Sequence, residues 1–216
     1  MSTTTKSYAV ITADIVGSRQ IQRFRSIRDQ KLKPLSRLHV SQKLILSPYA
    51  VTAWDEFQAI LSSPAHIPRV ILDIRRNFQP LQLWIAIGIG RVSEPHKAPV
   101  NVFSGGEAFE RAREAVESLN AKGRRSRALT AFNSGNDVFD RVANTVYHLH
   151  DTLIHEVSPK QWKTINVQLE TRKQDLTAKK MRLDESTVSR NLRRGFYAQI
   201  EETRDTMEEF IRACVK

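Results

Sequence analysis

Two aspartates stand where carboxylates can do chemistry. Asp14 ends a run of small and β-branched residues, Ser7 to Ile15, and Asp55 lies in Trp54-Asp-Glu-Phe-Gln58 between two further strand-like runs. If those strands are neighbours, the two carboxylates repel each other unless a cation lies between them. That is the arrangement that holds Mg²⁺ against the phosphates of a nucleotide. The connecting Ile15-Val-Gly-Ser-Arg19 offers phosphate its backbone N–H groups and the Arg19 guanidinium. The plainer alternative is that Asp14 caps a turn and Asp55 closes a hairpin.

A second set of residues is suited to reading a surface rather than transforming a substrate. Gln174 to Gly195 reads as two short helices joined by a tight turn, with Leu176, Ala178, Met181, Leu183, Val188 and Leu192 inward. Asp184 is placed to cap the second helix. Glu185, Ser186, Thr187, Ser189, Arg190, Arg193 and Arg194 are then left on its outward face. Short hydroxyls and arginines reach base edges and phosphates in a DNA major groove. From Lys160 to Arg194 there are ten Lys/Arg and four Asp/Glu, a local excess of six positive charges. The competing reading is an ordinary solvated helical pair.

The elements that must position these groups follow from periodicity. Ser7–Ile15 is expected as a strand, then a basic amphipathic helix over Gln20–Leu38, kinked or ended at Pro34. Leu44–Val51 and Asp55–Leu61 read as two further strands. A helix from Pro64 carries Ile67, Val70, Ile71, Ile74 and Phe78. Leu81–Gly90 is the clearest strand, and its alternating Gly88 and Gly90 leave one face bare of side chains. A helix after Gly105-Gly106 and a last strand over Arg124–Phe132 complete the set. The order β-α-β-β-α-β is the split βαβ, or ferredoxin-like, pattern. Asn136–Val157 is expected as a long helix with Val138, Val142, Leu149 and Leu153 inward, and its His148, Asp151 and His155 as surface residues. All that follows reads as helical, with Ser158-Pro159 as a start signal. The class is α+β, with an N-terminal domain over 1–150 and an all-helical domain over 151–216.

Composition narrows the partners. With 216 residues the chain can bury a real core, and its net charge of +11 points to a polyanion. No stretch approaches the roughly 20 apolar residues of a spanning helix, so a membrane is not expected as partner. Cys214 is the single cysteine, which excludes an internal disulfide and fits a reduced, cytoplasmic setting. Arg19 to Lys43 hold eight Lys/Arg against Asp29 alone, and Lys122-Gly-Arg-Arg-Ser-Arg127 is a second basic cluster.

Ala13-Asp-Ile-Val-Gly-Ser-Arg19, the Asp-Glu-Phe-Gln hairpin, Ile85-Ala-Ile-Gly-Ile-Gly90, Gly105-Gly-Glu-Ala-Phe109 and Ala112-Arg113 together resemble the SatD family of bacterial proteins. The resemblance implies a palm domain related to class III nucleotide cyclases, joined to a C-terminal helix-turn-helix. Cyclases place glycine before the second aspartate, where this chain has Trp54. Their adenine-reading lysine has no equivalent between Ser47 and Ala53. Glu110 and Glu114 stand nearest to their Asn/Arg pair, with the wrong charge. No catalytic residue is therefore assigned.

The expectation is a dimeric transcriptional regulator that binds double-stranded DNA. Its degenerate cyclase-like domain would dimerise or sense a nucleotide effector. The alternative is a Mg²⁺-dependent nucleotide-binding or nucleotide-converting enzyme, with Asp14 and Asp55 as metal ligands and Arg19 on the nucleotide, tethered by a basic helical tail.

Overall fold

The computed structural model describes residues 6–95, 105–122 and 127–215. The described residues form an α+β fold with a five-stranded mixed sheet and eight helices. β1 (Tyr8–Ile15) lies at its centre, between β3 (Glu56–Leu61) and β4 (Leu83–Gly90), and is antiparallel to both. β2 (Ala50–Val51) is the edge beside β3, and β5 (Thr130–Asn133) the parallel edge beside β4.

Strand alternation sorts β1 into two faces. Ala9, Ile11, Ala13 and Ile15 enter the main core with α1 (Phe24–Ser41) and α2 (Ile67–Phe78). Tyr8 and Val10 pack the other way, against Ala108 and Ala112 of α3 (Glu107–Lys122). The bare face of β4 is what admits α3. A Cβ on Gly88 would lie 2.0 Å from the Ala108 carbonyl oxygen and 2.3 Å from the Ala112 nitrogen. On the opposite face, Lys31 donates to the carbonyls of Asn77 and Gln79 at the end of α2, at 2.9 and 3.0 Å. A cation thus satisfies carbonyls at the negative end of that helix.

Several boundaries differ from the sequence expectation. α1 begins at Phe24 rather than Gln20 and continues through Pro34 to Ser41. Pro34 and Gln30, whose carbonyl a proline leaves without its helical donor, are both exposed, so water can serve that carbonyl. The strand expected over Leu44–Val51 shrinks to two residues plus an isolated bridge from Ile45 to Leu61. Residues 123–126 of the basic Lys122–Arg127 cluster lie outside the described residues, as do 96–104 of the preceding loop.

α4 (Asp137–Glu156) corrects the expected buried stripe. Val138, Val142 and Leu149 are 73%, 40% and 67% exposed. The side that packs carries Phe139, Ala143, Tyr147, His150, Asp151 and Ile154. Both stripes have helical period, and the buried one is disguised by two polar residues. Asp151, expected at the surface, has a fully buried side chain 2.7 Å from Arg75 of α2.

α4 ends at Glu156, and α5 (Pro159–Thr171) starts with a capping box between Ser158 and Gln161, as Ser158-Pro159 foretold. α6 (Gln174–Met181), α7 (Glu185–Arg194) and α8 (Tyr197–Cys214) follow. Trp162, Ile165, Ala178, Val188, Leu192 and Ile200 form their core, which also takes in Leu72 of α2. α8 turns back to the sheet layer, where Met207 and Ile211 are buried and Phe210 stacks on Phe139 at 5.2 Å.

Candidate functional site

Two places carry the groups singled out above. The first is the end of β1. Directly across from Asp14 stand Glu56 on one side and Trp84 on the other, so its strand partner is Glu56 rather than Asp55. Asp55 is next in line, its carbonyl accepting the Ile15 N–H at 3.2 Å and its carboxylate accepting the Ser18 hydroxyl. Burial, then the charges of Asp55 and Glu56, push the Asp14 pKa up to about 6. The expected crowding of carboxylates is therefore present.

Asp14 opens on a cleft of about 390 Å³ between the sheet and α3. Thr12, Glu56 and Gln58 share its floor, and Phe109 and Arg113 stand on its helical wall. The Thr12 hydroxyl is buried with no hydrogen-bond partner. Thr12, Glu56 and Gln58 are not among the residues expected at the site. The available signal was alternation, since residues two apart on a strand share a face.

The fit to a metal-bound nucleotide is partial. Among the described residues no group of three or more His, Cys, Asp or Glu is arranged to hold a metal ion. Mg²⁺ asks for only one or two carboxylates when phosphates supply further oxygens. The loop after β1 offers fewer donors than its sequence suggested, because the Val16 N–H is bound by the Gln82 carbonyl at 3.0 Å and that of Ile15 by Asp55. Arg19 is exposed in a short turn that ends before α1 begins. Trp54 leans on α1, its ring 5.9 Å from Phe24 and 4.3 Å below the Arg25 guanidinium. Glu114 accepts a hydrogen bond from Asn133 at 2.7 Å.

The second place is α7 and the turn before it. Arg182 adopts the left-handed conformation, with φ 55° and ψ 49°. The Leu183 N–H reaches the Ala178 carbonyl at 3.0 Å and the Arg182 N–H reaches that of Lys179 at 3.2 Å. This pair of bonds closes a helix in the Schellman manner, with arginine where glycine is usual. Asp184 takes the N-cap position, but its side chain makes no capping hydrogen bond; only its carbonyl serves, accepting from Thr187 and Val188. Val188 and Leu192 face inward, and Thr177 of α6 donates to Gln168 of α5 at 2.8 Å in a buried polar contact. Leu176, expected in this core, is 42% exposed.

That packing leaves Glu185, Ser186, Ser189, Arg190, Arg193 and Arg194 exposed and Thr187 half-buried. Nearby, Lys180 pairs with Glu170 and Arg172 with Glu201, whereas among the described residues Lys179 and Arg182 share the unpaired state of the α7 arginines. Among the described residues, Arg190, Arg193 and Arg194 face no carboxylate within salt-bridge distance. No described helix is long and apolar enough to cross a membrane.

Comparison with curated proteins gives no match. The model of the SatD family matches residues 8–205, from the first strand into the last helix. The chain belongs to the SatD family.

Proposed function

We propose that the protein binds double-stranded DNA as a homodimer and acts as a transcriptional regulator. The carrying observation is the outward face of α7, where three arginines without carboxylate partners stand beside exposed Ser186 and Ser189. A helix preceded by a tight turn and another short helix is the helix-turn-helix arrangement, and its second helix is the one that reads bases. The chain's net charge of +11 supplies the non-specific attraction on which such readers depend. The strand order β2-β3-β1-β4 supports a ferredoxin-like, cyclase-like reading of the sheet layer. The dimer is supported by the exposed stripe of Val138, Val142 and Leu149 on α4, whose spacings of four and seven fit a helix–helix seam with a second copy.

Selection of bound fragments from random genomic DNA, followed by anisotropy titration, tests the reading. Arg190→Ala is expected to weaken selective binding by at least ~1 kcal/mol. Full selective binding in that variant removes α7 from the assigned role.

A second reading, a Mg²⁺–nucleotide site, is favoured by the strand register that sets Glu56 directly across from the half-buried Asp14, with Asp55 next in line. A bound cation relieves that crowding. Calorimetry with ATP or GTP and Mg²⁺, on wild type and Asp14→Asn, decides it. Binding lost in the variant, with product formed, makes the protein an enzyme; no heat leaves the sheet layer without a nucleotide role.

A further inference from the structure

A separate groove lies along the outer side of α1, against the edge strand β2. Leu32 and Tyr49 are buried at its floor, while Val40 and Val51 line it 38% and 39% exposed. Lys33 and Arg37 stand exposed on the rim, one helical turn apart. The other polar groups here are already engaged. Arg28 binds Asp29 at 2.9 Å and the Trp54 carbonyl at 2.6 Å, and the Ser36 hydroxyl accepts the Tyr49 N–H at 3.0 Å. Among the described residues, Lys33 and Arg37 have no carboxylate partner, so the groove's unspent charge is positive.

We infer that this groove binds a small amphipathic carboxylate, its head on Lys33 and Arg37 and its apolar body along Val40, Leu32, Tyr49 and Val51. The sign of the rim selects an anion over an amine. The apolar walls select a ligand with a hydrocarbon or aromatic body over a bare phosphate or a nucleic-acid strand, which would leave those walls wet. The groove's volume of about 770 Å³ lies in the range of small-molecule sites, roughly 300–1,000 Å³. Exposed Val40 of α1 and Val51 of β2 give such a body apolar surface from both elements that line the groove. The inference concerns direct binding and does not depend on the DNA reading.

The test is isothermal titration calorimetry of the full chain, at fixed ionic strength, with decanoate, decanol and decylamine below their micelle concentrations. Decanoate is expected to bind saturably at one per chain, at least tenfold tighter than decanol or decylamine. Lys33→Glu/Arg37→Glu, which alters exposed residues only, is expected to weaken decanoate at least tenfold and to favour decylamine. Val51→Gln is expected to weaken decanoate and decanol alike. Equal decanoate binding by wild type and the double variant overturns the inference, as does the absence of saturable binding. Sedimentation of Val40→Glu completes the set. Self-association lost in that variant assigns the groove to a second copy and overturns the inference; unchanged self-association is the expected result.

Discussion

Arg75 and Asp151 form a 2.7 Å ion pair with side chains 3% and 0% exposed, joining α2 to α4. Arg75 also donates to the Thr130 hydroxyl at 2.6 Å, and the Leu129 N–H donates to Asp151 at 2.8 Å, so β5 is gathered into the same knot. Burial alone would raise the Asp151 pKa. The Arg75 charge and the hydrogen bonds outweigh burial and hold it below its ordinary 3.8.

Removing one member strands the other without its charge. Arg75→Leu or Asp151→Leu is expected to cost about 3–5 kcal/mol, measured by urea unfolding at pH 7. A folded-state pKa below the unfolded one gives stability that is full above pH ~4 and lost as pH falls further. The penalty of Asp151→Leu is therefore expected to shrink in acid unfolding series.

Asp14 has the opposite sign. Its folded pKa of about 6 lies above the ordinary 3.8, so the protonated form is the one that folding favours. Stability from this group is present below pH ~4 and is lost as pH rises toward 6. Asp14→Asn is expected to raise stability at pH 7 by on the order of 1 kcal/mol, after allowance for solvent screening, and by nothing at pH 4. Thermal unfolding at the two pH values checks this.

Under the proposed DNA-binding role of α7, phosphate contacts and base contacts would separate by salt dependence. Arg193→Ala is expected to weaken binding to all duplexes alike and to reduce the slope of log K against log salt by about 1. Arg190→Ala is expected to lose selectivity instead. Titrations at three salt concentrations distinguish them.

Arg182 sits in a backbone region that disfavours side chains. Arg182→Gly is expected to stabilise the turn by about 1 kcal/mol, visible as a rise in the unfolding midpoint. By contrast, Gly88→Ala drives a methyl into the α3 backbone and is expected to cost at least about 3 kcal/mol or to abolish folding.

Under the proposed dimer, the outward stripe of α4 is where two copies would meet. Val142→Glu or Leu149→Glu is expected to raise the dimer dissociation constant tenfold or more, since each apolar side chain withdrawn from an interface is worth about 1.5 kcal/mol or above. Analytical ultracentrifugation measures it; an unchanged dimer places the interface elsewhere.

Local pattern was enough for much of this chain. β1, β3, β4 and α2 were legible because runs of β-branched residues and a strong helical period are properties of neighbours in sequence. So were the Ser158-Pro159 helix start and the inward Val188 and Leu192 of α7. Phase was a different matter. On α4 two stripes a residue apart share one period, and the packing of Phe139 and Tyr147, with Arg75 and the Leu129 N–H just before β5 binding Asp151, decided that Asp151 goes in and Leu149 stays out. The partner of Asp14 was likewise undecided until strand register set Glu56, not Asp55, opposite it. The groove under Lys33 and Arg37 exists only because Pro48 to Val51 return beside α1. Periodicity is written in the chain, whereas register, phase and the meeting of distant charges are chosen by whichever packing satisfies buried groups together.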